Sequence, residues 1–142
     1  MLARYHMRRG KPPEVGGIRQ DTRKHTRHCL HPSVEMVSKY LADPSSDSWE
    51  SFERDYIELL EIRFAEDRRP FDALAALAQE NDVYIGCSCP TAKNPNVYHC
   101  HTVLALRFMQ QRYPRLRVAF PAECGIGQLM PGAFNNLFSD TL

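Results

Sequence analysis

The chain has 142 residues, 43% of them hydrophobic and 25% charged, with a net charge of +1. That length holds one ordinary core, and the composition excludes a disordered chain; no apolar run nears the roughly 20 residues needed to span a bilayer, and no signal-peptide core opens the sequence. The expected location is the cytoplasm, where five cysteines, an odd number, stay reduced and are free for thiolate chemistry or metal ligation.

The near-neutral total conceals an acidic middle between basic ends. Residues 1–31 carry eight Lys or Arg against two acids, residues 32–82 five against thirteen, and residues 83–142 five against two. Two acidic helices with solvated outer faces account for the middle. The basic N-terminal segment admits a sharper reading, a salt-dependent surface for nucleic acid or other phosphate groups.

In chain order, Leu2 to Tyr5 predicts a short edge strand, followed by an irregular basic loop broken at Gly10, Pro12, Pro13, Gly16 and Gly17. Within "HTRHCLH", His25, His28 and His31 recur at every third position, a weak metal group, although His28 or Cys29 can complete a site begun elsewhere. Ser33 then caps a modest helix with Val34, Val37, Tyr40 and Leu41 at helical spacing. The clearest helix is "DSWESFERDYIELLEIRFAED": Asp47 and Glu50 match a capping box, and Trp49, Phe52, Tyr56, Leu59, Leu60 and Phe64 step along one face. Such an aromatic stripe reads as core before it reads as a pocket wall. A further helix is expected from Pro70 through Phe71, Leu74 and Leu77 to about Gln79.

Val83, Tyr84 and Ile85 switch the pattern to a strand that Pro90 closes, a helix is predicted from His101 or Thr102 to about Arg112, and "RLRVAF" from Arg115 resumes a strand. Together these make a Rossmann-like βαβ unit at 83–120, and hence a mostly parallel sheet with flanking helices in one α/β domain over 1–142. Residues 121–142 are interrupted by Gly and Pro and read as a docked or mobile tail.

The βαβ unit gives the stretch "YIGCSCPTAKNPNVYHCHTVLALRF" its meaning, because ligands in open α/β sheets bind beyond the strands' carboxyl ends. Cys87 and Cys89 fall at the strand end, on one side if the extended geometry persists. Cys100, His101 and Thr102 fall at the helix start, where backbone N–H groups and the helix dipole favour negative charge. Three thiolates and an imidazole, Cys87, Cys89, Cys100 and His101, are a complete soft set for zinc. Equally, Cys100 with a lowered pKa is a nucleophile and His101 its base, acting on a small anionic or nucleotide-like substrate. The plainest reading leaves the cysteines as small buried hydrophobes. The spacing counts against zinc, since it lacks paired Cys-x2-Cys knuckles, and adjacent helical residues diverge by about 100°.

The segments "ARYHMRRG", "HPSVEMVSKY", "SWESFERDY", "VYIGCSCP" and "CHTVLAL", in this order, resemble the small prokaryotic family known as domain of unknown function 488, over roughly Met1 to Phe120. The resemblance implies a compact α/β domain without an established activity. Many relatives look like Cys-x-Glu at the strand end and Cys-His-Arg at the helix start, where this chain has Cys89 and Thr102. The first exchange makes the site softer, and the second removes the best phosphate clamp. Arg4 and Arg8, from the neighbouring strand and loop, are then the candidates to replace it beside Thr102.

Overall fold

Val83, Tyr84 and Ile85, three β-formers in succession, lie at the centre of the sheet in a computed structural model that describes residues 1–122. Strand β3 (Val83–Cys87) pairs in parallel with β1 (Leu2–His6) on one side and β2 (Ile18–Asp21) on the other, in the order β1-β3-β2. The register sets Leu2 and Ile18 opposite Val83, and His6 opposite Cys87. All three strands therefore end at the same edge, where Cys87 sits.

Strand β2 lies inside what the sequence presents as an irregular loop. Its residues, Ile-Arg-Gln-Asp, have weak strand propensity, and it forms because β3 offers a row of backbone partners that overrides local preference. The expected strand after Arg115 shrinks to one parallel bridge, Leu2 with Val118, fixed by Leu2 N–H to Arg117 O at 2.8 Å and Ala119 N–H to Leu2 O at 2.9 Å. The return thus runs beside β1, which has a partner on both sides over its first residues.

The helices form largely where periodicity and caps place them. Helix α1 (Val34–Ala42) starts at Ser33, whose hydroxyl accepts the Met36 N–H. Helix α2 (Ser46–Glu66) has its capping box at Ser45 and Ser48 instead of Asp47 and Glu50. The reason is length: only Asp43, Pro44 and Ser45 separate it from α1, so the chain must turn into the helix before Asp47 is reached. Asp47 instead lies in the first turn, where its charge suits the helix dipole. Helix α3 (Arg69–Glu80) opens with Pro70 in its first turn, and α4 spans His101–Arg112 with Cys100 as its N-cap.

Helix α4 packs on β1 and β3, while α2 packs on α1 and α4. Eight of the twelve residues of α4 are buried, Leu104 and Leu106 completely, each contributing roughly 1.5–3 kcal/mol through burial. On the strands, Leu2, Val83 and Ile85 join this core. Across the sheet, a Cβ at Gly86 would lie 2.6 Å from the Tyr5 ring and 2.7 Å from Met7 Sδ, so the close approach of Tyr5 requires glycine there. The result is one compact α/β domain with a three-stranded parallel sheet and four helices. Among the described residues no helix is long and apolar enough to cross a membrane. The tail expected at 121–142 lies, from Glu123 onward, outside the described residues.

Candidate functional site

The period-two alternation of β3 turns Cys87 to the same face as the buried Val83 and Ile85. Cys89 follows two residues later, and its peptide bond to Pro90 is cis. The loop then returns the chain to Cys100, which stands just outside α4 with no side-chain capping bond of its own. This brings the Cys87, Cys89 and Cys100 sulfurs within 4.8 Å of one another. Thiolates bound to one zinc at about 2.3 Å sit about 3.8 Å apart, so the cluster needs to close by about 1 Å at most.

Polar side chains support these sulfurs. Asn94, buried in the loop, donates from Nδ2 to Cys89 Sγ at 3.4 Å and to His99 O at 2.6 Å, while its Oδ1 accepts from the Tyr40 hydroxyl at 3.4 Å. The Thr102 hydroxyl donates to Cys100 Sγ at 3.1 Å, and its oxygen accepts from Arg4 Nε at 2.8 Å. Arg4 also donates to Cys89 O at 2.6 Å, so it holds both the strand end and the helix start. Its charge meets only neutral acceptors, with no carboxylate partner among the described residues.

The sulfurs share protons unequally. S–H bonds from Cys100 and Cys87, with help from Asn94, hold Cys89 well below the ordinary thiol range despite its partial burial. The Cys87 thiol is pushed up by its bonds to Cys100 and Cys89 and by burial. At Cys100 the bond from Cys87 lowers the pKa, but the bond to Cys89 and near-complete burial raise it on balance. Of the three thiols, the half-buried Cys89 is the one whose pKa is lowered.

His101 is beside the cluster but outside the tight group of three. The Thr22 hydroxyl gives its proton to Gly86 O at 3.0 Å, so His101 Nε2, 2.9 Å away, is the protonated nitrogen and donates to Thr22. Nδ1 is left as a lone pair 4.0 Å from Cys100 Sγ. Burial lowers this ring's pKa to about 4, which keeps it neutral. Helix α4 begins at His101, with Cys100 in extended backbone as its N-cap, so the rule for neighbouring helical residues does not govern the pair.

The remaining candidates separate clearly. Arg8 lies on the surface in an ion pair with Glu14 and takes no part in the cluster. His28 accepts the Leu30 N–H at Nδ1 and pairs through Nε2 with Gln20, and His31 pairs with Arg63. Burial pushes the Cys29 thiol up to about 11. Among the described residues, the three sulfurs are the group that can hold a metal ion.

All three cysteines line a cavity of about 300 Å³, together with Tyr40, Trp49 and Asn94. Sequence reasoning missed Asn94 and Thr22, and it placed Trp49 in the core stripe. Trp49 does both jobs, being 8% exposed and also part of the cavity wall.

No curated protein and no solved structure matches the chain. A family model described as "Active DUF488-N3 subclade" matches residues 3–113, from β1 to the end of α4 and thus every element that shapes the cluster. With most of its length matched, the chain belongs to the DUF488 family, in the DUF488-N3a subclade.

Proposed function

We propose that Cys87, Cys89 and Cys100 bind a soft divalent metal ion such as zinc within the cavity they line. The observation that carries this reading is the convergence of three sulfurs within 4.8 Å of one another, all three cysteines lining the cavity. Three protein ligands with a fourth position open to a cavity is the pattern of a catalytic zinc centre, whereas structural sites are closed by four. His101 Nδ1, 4.0 Å from Cys100 Sγ, is a further imidazole donor beside the cluster, its lone pair freed by the Thr22 bond. The hydrogen bonds from Asn94 and Thr102 to sulfur suit thiolate ligands, since such outer partners orient and tune a metal site. Elemental analysis of reduced protein purified without added metal tests the proposal. Stoichiometric zinc, lost in Cys89→Ser, is the expected result, and substoichiometric metal in fully reduced protein overturns it.

A second reading rests on the low pKa of Cys89 and its place on the cavity. Here the same site is a thiol enzyme with Cys89 as nucleophile, because the pKa of Cys100 is raised and its side chain is almost wholly buried. The alkylation rate at Cys89 then titrates below the free-thiol value of about 8.5. An ordinary, sluggish thiol removes the idea. The family's description as an active subclade fits either chemistry. The nucleic-acid reading keeps only the support of charge, and pairing of Arg8 with Glu14 and of Arg23 with Asp21 offsets part of that. Absence of DNA and RNA binding at low salt would eliminate it.

A further inference from the structure

The cavity has a lining that cysteine chemistry alone does not require. Its helix side is apolar, formed by Val37, Tyr40 and Leu41 of α1 and by Trp49 and Phe52 of α2. This wall is already fixed. Trp49 stacks on Phe52 at 5.1 Å and on His99 at 4.8 Å, and Tyr40 meets the Trp49 ring edge-on at 5.3 Å. A ligand would find a preformed surface there and would lose little by ordering it.

The mouth is basic. Arg23, Lys24 and His25 line it, and among the described residues no acidic side chain does, although Asp21 pairs with Arg23 and lies 3.9 Å from His25 Nε2. Asp21 engages Nε and Nη2 of Arg23, which leaves Nη1 facing Ser88 Oγ at 3.5 Å on the cavity lining. Lys24 is exposed and has no ion-pair or hydrogen-bond partner among the described residues. The volume, about 300 Å³, is at the lower end for organic-ligand sites and selects a small molecule over a dinucleotide cofactor.

We propose that this cavity binds a small organic anion, with its apolar body against the Tyr40–Trp49–Phe52 wall, its carboxylate or phosphate at Arg23 and Lys24, and its far end at the cysteine sulfurs. The inference rests on the reading of the cysteine cluster as the working end of this cavity. It extends that reading from the metal or thiol to the class of molecule brought to it.

Trp49 is the chain's single tryptophan, so its fluorescence reports directly on the cavity. The full-length reduced protein is titrated with phenyl phosphate, benzoate, inorganic phosphate and benzylamine. Saturable changes with phenyl phosphate or benzoate are expected, and the tighter of the two identifies the head group. Inorganic phosphate, which lacks the apolar body, and benzylamine, which has the opposite charge, should bind at least about tenfold more weakly. Lys24→Glu, at an exposed position that leaves folding intact, should weaken the organic anions by about tenfold. Equal binding of benzylamine or of inorganic phosphate, no saturable response to either organic anion, or an unchanged affinity in Lys24→Glu each overturns the proposal. Zinc measured on the same samples separates the two readings. Metal present without anion binding removes the ligand class alone, and anion binding without metal removes the metal alone.

Discussion

Segments 25–31 and 87–101 hold the same ligand types, three histidines and a cysteine in one, three cysteines and two histidines in the other. Yet the fold uses them in opposite ways. In the first, the side chains serve the backbone: His28 Nδ1 accepts the Leu30 N–H, His31 Nδ1 donates to His28 O at 2.7 Å, and Arg63 bonds to Cys29 O, His31 O and His31 Nε2. Every ring nitrogen of His28 and His31 is committed to a protein partner. In the second, the strand end and the helix start aim three sulfurs at one another and at open space. Residue type alone does not make a ligand set. What decides is whether the loop's own backbone has already claimed the donors and acceptors.

The largest test of that contrast is metal content. Cys100→Ser should lose zinc, whereas His28→Gln should keep it; zinc lost from both, measured on reduced folded protein, would erase the distinction between the segments. Next comes pH. Burial lowers the His28 pKa from 6.5 to about 4, with the charge of His31 acting in the same direction and Asp21 opposing it. The unfolded chain takes up a proton that the folded one refuses, so stability is full above about pH 6.5 and falls as pH drops toward 4, by up to about 3 kcal/mol. Urea unfolding across that range should show this loss together with the similar one from buried His101, and His28→Gln should remove only the His28 share. Arg63→Ala leaves two backbone carbonyls without their charged donor and should cost about 2 kcal/mol by the same assay, with zinc unchanged. The smallest effect belongs to Arg8→Ala. Arg8 and Glu14 are 38% and 63% exposed, so removing the pair should change stability by less than about 0.5 kcal/mol.

The convergence of the cysteines was legible because it follows from short-range rules. Cys87 and Cys89 share a strand period, Pro90 ends the run, and the apolar residues from Val103 onward mark α4, so the βαβ reading placed sulfur at both ends of the connecting loop. The partners of those groups were not legible. Thr22 lies 79 residues from His101, and Asn94 reaches Tyr40 across 54 residues, so no local pattern announces either contact. Strand β2 escaped notice for the same reason, since its four residues acquire their conformation from β3. Arg4 was legible only as a candidate among several basic residues. Its pairing with Thr102 and Cys89 depends on β1 lying beside β3 and under α4, which the sequence pattern does not specify.

Cys100 caps a helix whose other end is anchored in an aromatic cluster, with Phe108 5.9 Å from Phe64 and 5.7 Å from Phe71. Phe108 lies eight positions along the chain from the sulfur-bearing cap, about 12 Å of nearly incompressible rod. A change in the volume of any of those three rings can therefore shift the helix along its axis and move one of the three sulfurs relative to the other two, which ride on β3 and its extension. Positions remote from the cavity thus bear on the sulfur spacing, and if the proposed metal binds there, core substitutions would tune its fit without a change in any of the three cysteines.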